Sequence, residues 1–227
     1  MDLGANAGAT FDSIAVGSRT VWVGALPGIV RINPATDQML RPVRLMPPGV
    51  QQPTYVALGA GRAWGLTPDA HLTRVDPQTG AMQGTADVGQ SASALASGFD
   101  ALWVADSLHG TLTKVEPGTL DSDAPIPVSG DLDAVATGAG SVWILDSSAG
   151  VVIPVDPATS LPGSPIRVGL HPTDVAVGLG AVWVTNIEDG TISKIDPVTG
   201  KVEAFEIGAP VAAIAVDKRS GTLWVAV

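Results

Sequence analysis

Tryptophan recurs at positions 22, 64, 103, 143, 183 and 224, at intervals of 42, 39, 40, 40 and 41 residues. A period this regular marks a repeat architecture and organises the whole chain before any local reading. A second marker runs in phase with it. Asn33-Pro34-Ala35-Thr36, Asp76-Pro77-Gln78-Thr79, Glu116-Pro117-Gly118-Thr119, Asp156-Pro157-Ala158-Thr159 and Asp196-Pro197-Val198-Thr199 all read acid or amide, proline, any residue, threonine. A third is alanine at 15, 57, 96, 136, 176 and 215, seven to nine residues before each tryptophan. Three independent columns in one register define six repeats.

Inside one period the pattern is that of strands. In the fifth repeat, residues 174–177 read as a short strand, Gly178-Leu179-Gly180 as a turn and residues 181–185 as a second strand. Residues 186–190 are a loop, and residues 191–195 alternate polar and apolar side chains as a half-buried strand does. Residues 196–200 are a turn and residues 201–207 a fourth strand. The proline sets φ at the corner while the preceding acid accepts hydrogen bonds from the backbone that follows, a turn function rather than a metal-binding one.

Four strands of four to seven residues in each period of about 40 predict an all-β fold, a six-bladed β-propeller of four-stranded antiparallel blades. The blades fall near residues 11–49, 50–90, 91–130, 131–170, 171–209 and 210–227, in a single domain. The alanines are expected close to the axis, where blades crowd, and all six tryptophans between blades, where a large flat side chain fills the gap. The last blade is incomplete: residues 212–216 and 222–226 supply two strands, and the sequence stops at Val227. Residues 1–4, which resemble residues 205–208, are expected to act as a stub of an outer strand for that blade. The chain then reads as a fragment cut from a longer protein upstream of residue 1.

Charge and composition exclude several function classes. The net charge is −10, and residues 75–167 alone carry eleven acids against Lys114 and Arg167. An acidic middle repels phosphate backbones, so no nucleic-acid partner is expected, and a cationic one fits better. There is no cysteine, which removes disulfides and thiolate metal sites. With 45% hydrophobic residues the chain can bury enough surface to order itself. No membrane-spanning segment and no signal peptide is expected within these residues.

Segments such as Ile14-Ala15-Val16-Gly17, Ala181-Val182-Trp183-Val184-Thr185-Asn186 and Ile195-Asp196-Pro197-Val198-Thr199-Gly200 resemble the YVTN-type repeat propellers. The chain is thereby similar to the virginiamycin B lyase-like superfamily and to the propeller ectodomains of bacterial serine/threonine kinases. The resemblance covers essentially the whole chain. It implies an extracytoplasmic setting and a sensor or ligand-binding role within a larger bacterial protein. A lyase would need a histidine base and a carboxylate converging on one face. His71, His109 and His171 come from blades two, three and five. The lyase-type Trp-Phe-Thr-Glu strand is absent, since Trp183 is followed by Val184-Thr185-Asn186, and no catalytic family residue carries over.

In a propeller, the loops joining strands two and three and those joining successive blades gather around one channel mouth. Binding groups sit on such loops. The candidate ligand-binding residues are therefore Asp106, His109, Asp133, Asp146, His171, Asn186, Glu188 and Asp189. A further column, Asp12, Thr54, Ser93, Asp133, Thr173 and Ala212, opens each innermost strand and is expected to line a water-filled channel. No metal site and no cofactor is expected, and Asp121-Ser122-Asp123 reads as a turn. Three functions remain open: a non-catalytic binding or sensor module for a small molecule, a cell-wall component or a protein; a lyase or lactonase acting through the histidines and carboxylates; and a protein-interaction scaffold.

Overall fold

The structure, a computed structural model, describes residues 11–17, 19–25, 28–45, 54–217 and 220–227. Among these residues every regular element is a strand, and the strands fall into six antiparallel sheets that follow the six repeats. The first sheet holds β1 (Phe11–Val16), β2 (Val21–Ala25), β3 (Gly28–Asn33) and β4 (Gln38–Arg44). The second holds β5 (Tyr55–Gly59), β6 (Arg62–Leu66), β7 (His71–Val75) and β8 (Met82–Asp87). The third holds β9 (Ala94–Gly98), β10 (Ala101–Asp106), β11 (Thr111–Val115) and β12 (Ile126–Pro127). The fourth holds β13 (Leu132–Gly138), β14 (Ser141–Asp146), β15 (Val151–Val155) and β16 (Ile166–Arg167). The fifth holds β17 (Pro172–Gly178), β18 (Ala181–Asn186), β19 (Thr191–Ile195) and β20 (Val202–Glu206). The sixth holds β21 (Ala213–Asp217) and β22 (Thr222–Ala226) alone.

The first strands of successive sheets pack side by side in the series β1, β5, β9, β13, β17, β21. This is blade stacking, and the core lies between blades. One cluster joins Trp103, Ala105 and Leu112 of the third sheet to Leu132, Val142, Ile144 and Val155 of the fourth. Trp143, Leu145 and Val152 meet Val175, Val182, Val184 and Ile195 in the same way one blade on. The alanine column lies directly opposite the tryptophan column across strands one and two, as in Ala57↔Trp64, Ala96↔Trp103 and Ala136↔Trp143. A small residue beside each indole leaves the ring room to lie flat against the next blade.

Glycine ends the inner strands for a steric reason. A Cβ on Gly98 would collide with the Thr137 side chain of the next blade, and one on Gly178 with Val216. The carbonyls of Gly59, Gly98, Gly138 and Gly178 accept hydrogen bonds from the indole Nε1 of Trp64, Trp103, Trp143 and Trp183 at 2.9–3.1 Å. Packing and hydrogen bonding thus fix each ring together.

Two expectations need correction. The outer strands β12 and β16 are two residues long rather than four or more. Pro125 and Pro127 in one blade, and Pro162 and Pro165 in the other, lack the N–H that a longer ladder requires. The tryptophans are also not equally buried. Trp22, Trp64, Trp103 and Trp143 are at most 1% exposed, Trp183 is half-buried, and Trp224 is 64% exposed. Burial of each ring depends on the blade that follows it, and the last two stand next to the two-stranded sheet or at its open side. The expected stub at residues 1–4 lies outside the described residues.

Candidate functional site

Strand register decides which loops share a face. Leu132 pairs with Asp146 and Pro172 with Asn186, so each inner strand begins where the second strand ends. The loops after the second strands and the connections between blades therefore share one end. The glycine turns and the Asp-Pro corners occupy the other. At the corners the carboxylate works as a local cap: Asp76 Oδ1 accepts from the N–H of Gln78 and Thr79 at 3.0 and 2.8 Å, and Asp156 and Asp196 do the same. Those bonds, from Thr79, Thr159 and Thr199 above all, hold the three carboxyls below the ordinary aspartate range.

At the loop end the inner strands enclose a cavity of about 980 Å³. Every blade contributes to its wall, through Ser13, Tyr55, Ser93, Asp133, Thr173 and Ala212 among others. Several polar side chains of the wall tie neighbouring blades together. Ser13 Oγ donates to the Thr54 carbonyl at 2.9 Å and accepts from the Val56 N–H at 2.8 Å. Ser93 donates to the Leu132 carbonyl, and Thr173 Oγ1 to the Val211 carbonyl at 3.2 Å. Asp174 takes the role of Ser13 between blades five and six: its Oδ2 accepts from the Ile214 N–H at 2.9 Å and its Oδ1 from the Val175 N–H at 2.8 Å. Burial pushes the Asp174 carboxyl above the ordinary aspartate range, and these two bonds offset only part of that rise. Between blades two and three the matching hydroxyl, Thr54 Oγ1, is buried with no hydrogen-bond partner among the described residues.

The eight candidate residues separate into three groups. Asp133 lines the cavity and accepts a hydrogen bond from the Ser147 hydroxyl. Glu188, Asp189, His109 and His171 are exposed on the same end of the molecule. Asp106, Asp146 and Asn186 occupy one repeat position, the last residue of the second strand, and are buried. Their polar atoms organise the loops. Asp106 Oδ1 accepts from the His109 N–H and its Oδ2 faces His109 Nδ1 at 2.7 Å. Asp146 Oδ1 accepts from Ala149 N–H and Ser148 Oγ. Asn186 accepts from Gly169 N–H and donates to Thr191 and Ser193 hydroxyls. Asp189 Oδ2 accepts from the Leu170 N–H, linking the loop to the preceding connection.

Two of the three histidines pair with acids of their own blades: His109 with Asp106, and His71 with Asp69 and Asp87 at 3.6 and 3.3 Å. Among the described residues no three His, Asp or Glu side chains are grouped to hold a metal ion. Sequence reading missed Ser13, Tyr55 and Asp174 as cavity residues. The one signal for the last of them was an acid at the head of the apolar run 174–177, where the equivalent residue of the other inner strands is uncharged. The side chain of Asp12 lies outside the described residues.

The sequence matches no protein-family model and no curated protein. Its backbone is similar to solved structures. One is hydrazine synthase of Kuenenia stuttgartiensis, with a TM-score of 0.81 at 14% identity over 98% of this chain and 76% of that one. Another is a chain of the Nidogen/Laminin complex, a β-propeller, with a TM-score of 0.70 at 10% identity over 90% of this chain and 84% of that one. A third is the computationally designed Ika8 protein, with a TM-score of 0.69 at 17% identity over 95% of this chain and 70% of that one. At these identities the likeness is one of fold. Among the described residues the chain is an all-β, propeller-like stack of six blades, five of four strands and one of two.

Proposed function

We propose that the chain is a non-catalytic binding domain that holds its partner at the loop end, over the mouth of the central cavity. One observation carries the reading. A cavity of about 980 Å³ has apolar walls from Tyr55, Leu95, Val135 and Ile214, with Asp133 among its polar lining. Apolar walls with a few fixed polar groups are the usual chemistry of a ligand pocket. Asp131, Asp133, Glu188 and Asp189 are exposed at this end and favour a cationic group on the partner. The reading includes an extracytoplasmic setting within a larger receptor, supported by the resemblance of the repeat segments. Catalysis gains no support from His71 and His109, which are engaged by acids of their own blades.

The test uses a pentalysine peptide as probe, titrated into the chain by calorimetry at low and physiological salt. Binding is expected to weaken as salt rises, because exposed charges are screened beyond about 8–10 Å. Replacing Asp131 and Asp133 by Lys is expected to abolish it, and replacing the corner residues Asp76 and Asp156 by Lys to leave it intact. Salt-insensitive binding, or equal losses from both pairs, would refute the proposed face.

A further inference from the structure

The wall of the central cavity is layered along the inner strands. Ser93, Asp133 and Thr173 stand at the mouth. One residue further along each strand come Ser13, Tyr55, Ala94, Ala134, Asp174 and Ala213, so three alanines leave room around one carboxylate. One residue further again the wall is Ile14, Val56, Leu95, Val135 and Ile214, all apolar. Strand pairing skips Asp133 between Leu132 and Ala134, and Thr173 between Pro172 and Asp174. Both acids of the wall therefore stand at a bulge, a device that re-aims side chains beside functional sites.

The polar groups of this wall are acceptors. The hydroxyls of Ser13, Ser93 and Thr173 give their hydrogens to the Thr54, Leu132 and Val211 carbonyls of the next blade, and their oxygens keep lone pairs. Asp133 and Asp174 are the charged residues among the described residues of the wall, and no Lys, Arg or His joins them there. Asp174 accepts one bond on each oxygen, from the Val175 and Ile214 N–H groups, which leaves further acceptor capacity on both. Burial raises its carboxyl above the ordinary range, so those bonds do not replace the water it has lost. A cation beside it is attracted more strongly than one at the rim, where water weakens the pair.

We propose that the cavity binds a small organic ammonium, a protonated amine that pairs with Asp174 and Asp133 and carries an apolar body down to Val56, Leu95, Val135 and Ile214. The proposal rests on the reading of the loop end as a binding face and adds the chemical class of the ligand. An ammonium is all donor, which complements a wall of acceptors and two carboxylates. The apolar level calls for a hydrocarbon body, and among the described residues no third acid or histidine joins the two carboxylates to hold a metal ion. Two residues of strand separate the mouth from the apolar level, roughly 7 Å, the reach of a short chain ending in a ring. The cavity of about 980 Å³ lies in the size range of small-molecule pockets.

Phenylbutylammonium is the probe, with phenylbutanol and phenylbutyrate as its neutral and anionic counterparts. Each is titrated into the chain by calorimetry, with tryptophan fluorescence as a second readout because Trp224 stands in the wall. Saturable one-to-one binding of the ammonium is expected at or below roughly millimolar concentration. The alcohol should bind at least about tenfold more weakly, and the carboxylate more weakly still. Asp174→Asn keeps an acceptor for the Ile214 N–H and should cost about tenfold or more. Ala213→Leu, which fills the cavity from an exposed position, should cost about as much. Circular dichroism checks that both variants keep their fold. Asp131→Lys with Glu188→Lys, at the rim, should weaken pentalysine binding and leave that of the small ammonium within about threefold. No saturable binding of the ammonium up to roughly ten millimolar, equal binding of the alcohol, or indifference to both cavity variants overturns the proposal. Loss through the rim pair alone also overturns it, and leaves the docking face standing. Binding of the ammonium that depends on Asp174, in a chain that does not bind pentalysine, supports the cavity site and counts against the docking face.

Discussion

Replacing two tryptophans of the same repeat position, Trp103→Ala and Trp224→Ala, separates the contribution of the blade from that of its neighbour. Trp103 is fully buried between blades three and four, its Nε1 donates to the Gly98 carbonyl at 3.1 Å, and the Lys114 ammonium lies over its ring. Burying an indole removes roughly 200 Å² of mostly apolar surface from water, worth about 5 kcal/mol at 25 cal/mol per Å². Loss of such a side chain to alanine typically costs about 3–5 kcal/mol once partial collapse of the hole is counted. Trp224 is 64% exposed and keeps about a third of that burial, so its loss should cost about 1–1.5 kcal/mol. The expected difference is about 3 kcal/mol, or roughly 6–12 °C in melting temperature for a chain of this length. Urea unfolding followed by far-ultraviolet circular dichroism, with calorimetric melting as a second measure, reads both variants. Trp183→Ala should fall between them, since its ring is half-buried and touches Phe205 at 6.3 Å between centroids. Equal losses at positions 103 and 224, within about 1 kcal/mol, would show that the tryptophans act within their own blades, and the stacking argument would fail.

Two further outcomes follow from single positions. Blade four carries Pro154 where the other complete blades carry Arg or Lys, and a groove of about 510 Å³ remains there between Trp143 and the Pro197-Val198-Thr199-Gly200 corner. Arg31 and Arg74 reach the equivalent corner carbonyls of the next blade at 2.8–3.4 Å, as Lys114 does at 3.3 Å; Pro154→Lys should therefore raise stability by about 0.5–1 kcal/mol, and a lower urea midpoint would count against it. Asp174 has a folded-state pKa raised by burial, so its effect on stability is most favourable below the unfolded aspartate value and worsens as pH rises through the folded one. The stability of Asp174→Asn relative to the parent chain should accordingly improve between pH 3 and pH 7, measured by urea unfolding at each end; a difference that stays constant with pH would exclude a buried charged carboxylate.

The Asp-Pro corners show how the acid at a turn is read correctly from sequence alone. A carboxylate two and three residues before the N–H groups it accepts is a local arrangement, and Asp76, Asp156 and Asp196 all make it. The candidate site was legible only in part. Sequence position brought Asp133 and the exposed acids Glu188 and Asp189 to the loop end, which loop location alone predicts. It gave no sign that Asp106, Asp146 and Asn186 are buried anchors of their loops, because the side chain of a strand-terminal acid can face water or the turn with equal local propensity. Asp174 escaped notice for the opposite reason: its partner, the Ile214 N–H, is forty residues away on another blade.

What the sequence determined by itself is the unit. The forty-residue period, the tryptophan opposite alanine and the proline corner are set by turn chemistry and by alternation within a few residues, so six repeats and their strand order are readable without coordinates. The tertiary structure decided everything that depends on a neighbour. Trp103 and Trp224 occupy equivalent places in equivalent strands, yet one is sealed and the other open. A blade buries its face only against the next blade, and hydrophobic burial is a property of the pair, absent from the local sequence of either member.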